Sequence, residues 1–182
     1  MSEWDFIFKN KPVVVNTARL DIKMSIGCMF DDTVWHTQEQ YNQLPNVVPI
    51  PWDRIQITVK LDQQTIFKSG IDGLTQINHV FEDSNDTQSH VLTIHLDGID
   101  EFHCPPWPTG SSGGVMLKIH GITIEDMDMS WTMSKLGNYI LEDGSVNIAT
   151  NLAGSNGIQT LPFTTPIYSW LIENHEFVLQ KF

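Results

Sequence analysis

Residues 115–129, VMLKIHGITIEDMDM, hold the pattern on which the fold reading turns. Their apolar residues form three short alternating sets that change phase twice. Leu117 and Ile119 share one parity, Ile122 and Ile124 take the other, and Met127 and Met129 return to the first. Side chains of a strand alternate between its two faces, so a strand with one buried face needs an extra residue, or a new strand, wherever the parity slips. The slips fall at His120-Gly121 and at Glu125-Asp126. Glycine accepts positive φ at a bulge without strain, so the stretch predicts one long bent strand passing between two packed sheets.

Alternation continues on the N-terminal side of this stretch. In RIQITVKL, residues 54–61, Ile55, Ile57, Val59 and Leu61 share one face while Arg54, Gln56, Thr58 and Lys60 share the other, the pattern of a half-buried antiparallel strand. Asp62-Gln63-Gln64 turns the chain into a returning strand over Thr65 to Lys68, and Ile77 to Phe81 reads as another short strand. His90 to Leu96 turns Leu92, Ile94 and Leu96 to the core. Near the start, Phe6-Ile7-Phe8 and Val13-Val14-Val15 suit two short strands. Pro162 and Pro166 are expected to break any long ladder, and Tyr168 to Asn174 reads as a strand or a single helical turn.

No segment keeps a helical period over three turns, and turn signals recur about every 8–12 residues. The fold expected is all-β, an antiparallel β-sandwich of jelly-roll-like form with long loops and terminal arms. One domain covers 1–182, with 1–15 and 175–182 as candidate assembly arms. Residues 30–52 hold three prolines and no sustained period beyond one helical turn. They read as a binding arm, or as a loop packed over a sheet edge with Trp35 and Trp52 as its anchors.

At 182 residues the chain is long enough to bury a core without staples. With 22 acidic and 10 basic residues the net charge is −12, which repels phosphate backbones and anionic lipid and speaks against nucleic-acid and membrane partners. The first residues carry Glu3 and Asp5 before a very short apolar run, unlike a signal peptide or a membrane span. Cys28 and Cys104 stand in no metal-ligand spacing and are either one disulfide or two free thiols.

Candidate chemistry is sparse. His95 and His120 lie on strong strand patterns near acidic groups, yet no HxH, HExxH or CxxC spacing accompanies them. Calcium suits the acidic loops better, because hard cations take several carboxylate and carbonyl oxygens from flexible segments. The candidate ligands are Asp97, Asp100, Asp126 and Asp128, whose clusters are otherwise solvated turns. Trp107 lies in a loop rich in proline and glycine, where it either caps the end of the sandwich or offers a flat face to a sugar or a protein partner. No nucleophile elbow, phosphate-binding glycine loop or zinc-protease helix is present, so no enzyme is expected and no cofactor beyond candidate calcium.

The C-terminal part, GSNGIQTLPFTTPIYSWLIEN over 154–174, resembles uncharacterised virion-associated proteins of tailed phages that infect marine bacteria and cyanobacteria. Those proteins are similar in an Asn-Gly turn and in a closing signature matched here by Tyr168, Trp170, Leu171, Ile172, Glu173 and Asn174. Their central segment is similar to Ile119, Ile122, Ile124, Glu125 and Asp126. The resemblance implies a β-sandwich like the calcium-dependent carbohydrate-binding modules, carried on a phage particle. It brings no assigned site residues. This chain departs from the pattern after Asn174, where Phe177 and Leu179 continue an apolar alternation suited to adding an edge strand to a neighbour.

Two functions follow as expectations. The first is a non-enzymatic phage virion structural protein, made in the host cytoplasm, that decorates the capsid or serves the tail as a homo-oligomer beside other virion proteins. The alternative is a calcium-dependent carbohydrate-binding module or adhesin that recognises host-surface glycans.

Overall fold

The computed structural model describes residues 18–31, 34–35, 37–43, 52–70, 74–83, 89–98, 116–149, 152–153 and 155–174. Its longest strand, β1 (Ala18–Asp31), is the axis of the first sheet. Along one edge β1 pairs with β5 (Leu74–Asp83) and then with the short β2 (Val34–Trp35). Along the other it pairs with β7 (Met116–Ile124), which carries β8 (Met127–Asp128) and β11 (Leu152–Ala153). The second sheet runs in the order β10 (Val146–Ile148), β9 (Asn138–Leu141), β12 (Gly157–Thr164), β6 (Ser89–Asp97), β3 (Gln56–Leu61) and β4 (Gln64–Gly70). Every pairing is antiparallel.

The two inner faces close on one core, so the expected β-sandwich is the fold observed. Ile22, Met24 and Ile77 of the first sheet belong to the same buried cluster as Ile57, Val59, Leu92, Ile94, Leu161 and Phe163 of the second. The alternation read in residues 54–61 and 92–96 is the cause, since each inward position is apolar and buried and each such side chain contributes about 1.5–3 kcal/mol on burial. His90 extends the inward row of β6 and is buried as well.

The first parity slip is a β-bulge. Met24 pairs with Ile122 and Ser25 with Gly121, but Ile26 pairs with Ile119, leaving His120 as the extra residue. That single insertion returns Ile119 to the core face beside Ile122 and Ile124, and all three are buried. Gly121 does not adopt positive φ, so the reason given for its presence does not operate.

The second slip is a hairpin, which corrects the expectation of a strand crossing between sheets. Glu125 and Asp126 both have positive φ, 51° and 60°, as a two-residue turn of type I′ requires, and β8 folds back on β7 with Ile124 opposite Met127. Neither residue is a glycine, so the turn is held by its partners. The Glu125 amide donates to Asp21 O (3.0 Å), and its carboxylate accepts from the Ile167 amide at the start of the helix over Ile167–Glu173 (3.1 Å). Lys23 Nζ donates to Asp126 Oδ1 (2.8 Å).

Pro162 does not interrupt the ladder. β12 pairs with β6 from Gly157 through Thr164, while its pairing with β9 ends at Thr160. The amide and carbonyl of Val91, opposite Pro162, both turn to Asp62 on the far side. The proline nitrogen therefore faces the side where no strand follows, among the described residues, and its missing N–H costs no bond.

Three short helices are found among the described residues: α1 (Gln38–Asn42), α2 (Ser130–Leu136) and α3 (Ile167–Glu173). Residues 130–136 show no helical period in the sequence yet form α2, and of the stretch 168–174, read as a strand or a single helical turn, 168–173 are helical. α1 opens on a capping box, with Gln40 N donating to Thr37 Oγ1 (3.2 Å) and Thr37 N to Gln40 Oε1 (3.0 Å). The expected strands at 6–8 and 13–15 and both candidate arms lie outside the described residues.

Two glycines test this geometry. Gly98 has φ +84°, and a Cβ there would meet Arg54 O at 1.9 Å, so Gly98→Ala should cost about 2 kcal/mol or more. A Cβ on Gly121 would meet nothing nearer than Ser130 Oγ at 3.8 Å, so Gly121→Ala should be neutral or stabilise by about 0.4–1 kcal/mol. Urea midpoints of the two variants decide it, and equal losses would show the bulge is mis-registered.

Candidate functional site

The start of β6 and the end of β12 meet α3 and the end of α2 around an open cleft of about 270 Å³. Its floor is apolar, with Phe163 and Trp170, and its rim carries Ser89, Thr164 and Asn174. Strand alternation puts His90 and Phe163 inward and Val91 and Pro162 outward, so the cleft wraps the end of the sheet. The cis Thr165-Pro166 bond separates β12 from α3, which then lays Trp170 back over the core. Asn174 Nδ2 donates to Trp170 O (2.8 Å) and closes the helix.

His90 is 1% exposed and shapes this end of the core. Its Nδ1 lies 2.9 Å from Asp62 Oδ2, and its ring packs edge-on to Phe81 and tilted against Phe163. Asp62 is itself fixed. It sits in the β3–β4 turn at φ 54°, donates its amide to Val91 O (2.9 Å), and accepts the Val91 amide on Oδ1 (2.8 Å). One carboxylate thus orients the buried imidazole and pins two strands.

The calcium candidates fall in two sheets. Asp97 ends β6 in the second sheet and accepts the Gly98 amide on Oδ1. Asp126 and Asp128 flank the β7–β8 hairpin in the first sheet. Lys23 binds Asp126 and holds its carboxyl below the usual aspartate range, chiefly through their hydrogen bond. Asp128 Oδ1 accepts the amide and the hydroxyl of Ser130 at the start of α2. Asp100 lies outside the described residues. Among the described residues no three His, Cys, Asp or Glu side chains converge as a metal cluster.

Trp52 is 8% exposed and packed in the core. Trp35 lies on β2, beside Met29 of β1. Trp107, Phe177, Leu179 and Cys104 lie outside the described residues, and Cys28 lies on β1. His95 and His120 sit on β6 and β7, in opposite sheets, and so do not face each other across one strand pair.

Sheet edges are the features that the residue pattern did not show. β5 is longer than expected and pairs with β1 through an unbroken register from Ala18–Asp83 to Gly27–Leu74. Its sequence, LTQINHVFED, has no proline, lysine or bulge, and its acids are confined to the last two residues. Leu74 and Val80 are 40% and 44% exposed, and among the described residues no strand takes the outer edge.

No protein-family model and no curated protein matches the chain. Among solved structures, vCBM60 in complex with galactobiose is similar over 78% of this chain and 96% of that chain, at 5% sequence identity and a TM-score of 0.42. A likeness this loose assigns nothing to the cleft or to the edges.

Proposed function

We propose that this chain is a non-enzymatic β-sandwich that works by protein–protein assembly. The setting is the one the C-terminal resemblance implies, a phage particle, with copies of itself and other virion proteins as partners. The observation that supports this is the outer edge of β5, which no strand takes among the described residues. An unpaired strand edge offers a row of N–H and C=O groups to any passing strand, and monomeric proteins blunt such edges with lysine, proline, bulges or short length. β5 has none of these over its 10 residues. The net charge of −12 fits a protein of the particle's outer layer, away from the genome.

Light scattering of the purified protein, with calcium and with chelator, is the direct test. The expected result is an oligomer whose mass ignores chelator and falls in a Val80→Lys variant, which puts a charge on the exposed face of β5. A monomer at every concentration would refute assembly.

A second reading, glycan binding, is favoured by the cleft, whose apolar floor of Phe163 and Trp170 meets hydroxyl and amide groups at the rim. Val91 lines it and is partly exposed, so Val91→Arg blocks the mouth while leaving the inward faces intact. Glycan binding by the unmodified chain that disappears in Val91→Arg, with unfolding unchanged, is expected on this reading. Binding that survives the substitution would place the sugar elsewhere.

A further inference from the structure

Among the described residues the opposite sheet ends at β10, Val146-Asn147-Ile148, and the groups it turns outward follow from hydrogen bonds on either side. Leu141 N donates to Ser145 O (2.9 Å) and Ala149 N to Gly137 O (3.0 Å), which marks both positions as hydrogen-bonded pairs. Bonded and non-bonded pairs alternate along an antiparallel ladder. The register Ile140–Val146, Tyr139–Asn147, Asn138–Ile148 therefore points the amide and carbonyl of Asn147 at β9. Those of Val146 and Ile148 point out, and among the described residues no strand takes them.

The side chains are as open as the backbone. Val146 and Ile148 are 60% and 70% exposed. On the solvent face Val146 lies beside Ile140, which lies beside Ile158, so an apolar stripe runs across three strands to the edge. Tyr139 and Gln159 occupy the buried face at the adjoining positions, which fixes the stripe on the outside.

We propose that β10 pairs with β10 of a second copy of the chain, antiparallel about a two-fold axis at Asn147, joining two six-stranded sheets edge to edge. The inference rests on the assembly reading and names its partner. Val-Asn-Ile is self-complementary in this register. Val146 faces Ile148 of the other copy, Ile148 faces Val146, and Asn147 faces itself. Each outward N–H and C=O meets its complement, and the apolar stripe continues into the second molecule. An isologous contact of this kind closes as a dimer.

Charge selects the same arrangement. Glu142 and Asp143 are exposed in the turn before β10, on a chain of net charge −12. The two-fold sends these turns to opposite ends of the joint, whereas parallel pairing would set them side by side. Because β10 has only three residues, the joint is smaller than a standard interface, so it is weak between free molecules and gains strength where many copies are held together.

The axis supplies the test. A non-hydrogen-bonded antiparallel pair has Cα atoms about 4.5 Å apart, within the disulfide range of about 4.4–6.8 Å. Asn147→Cys in the full chain should oxidise to a dimer linked between the two substituted positions, identified by mass spectrometry of the unreduced peptides. Adding Ile148→Lys should lower the yield at least about tenfold, since it opposes the charge to an apolar neighbour on the joint. Asp143→Cys, off the axis, should not link. An oligomer by light scattering whose 147–147 linkage is no greater than this control would overturn the two-fold and leave assembly to β5. A monomer at every concentration would overturn both.

Discussion

The pairing of β1 with β7 around the extra residue His120 is the constraint on which the sandwich depends. Side chains alternate strictly along a strand, so slipping one residue there would send Ile119, or Ile122 and Ile124, to solvent. With the bulge in place all three join Ile22 and Met24 on one face, and that face meets the inward rows of β3, β6 and β12. The same pairing occupies one edge of β1 and gives the other to β5, which among the described residues is the border of the sheet. Turn strain is met locally, by Asp21, Lys23 and the α3 amide of Ile167 around Glu125 and Asp126.

Much of this was written in the sequence as alternation. The inward rows of β3 and β6 follow from period two alone, and both parity slips mark real interruptions of β7. What the slips mean was less legible. A bulge and a two-residue hairpin change phase alike, and Glu-Asp lacks the Asn-Gly signal that names a type I′ turn. Pro162 looked like a breaker because its harm depends on which side of β12 is paired, a fact of topology. α2 and α3 are too short to show a period, although the Thr37–Gln40 capping box of α1 was there to be read. Of the candidate site residues, Trp52 is settled inside the core, and Asp126 and Asp128 already hold Lys23 and Ser130. The cleft joins residues distant in sequence, so no local pattern announced it.

Edges were the least legible feature and carry the functional proposal. Whether a strand lies at the border of a sheet is decided by the whole strand order, and the three residues of β10 are too few to read as a strand at all. Once placed, the two borders complement each other. β5 is long and regular, suited to a partner strand of any source, whereas β10 is short and matches its own copy. Net charge opposes crowding of such acidic molecules, but screening over about 8 Å at physiological salt leaves short-range strand pairing free to act.

Hydrogen exchange at single amides, measured in dilute and in concentrated protein, tests assembly through strand edges most directly. On concentration the amides of Val146 and Ile148 and the outward amides of β5 should gain protection, while that of Asn147, already bonded to β9, should not change. If particle mass rises and these edge amides exchange as fast as in the dilute protein, the molecules associate through some other surface and the account is wrong.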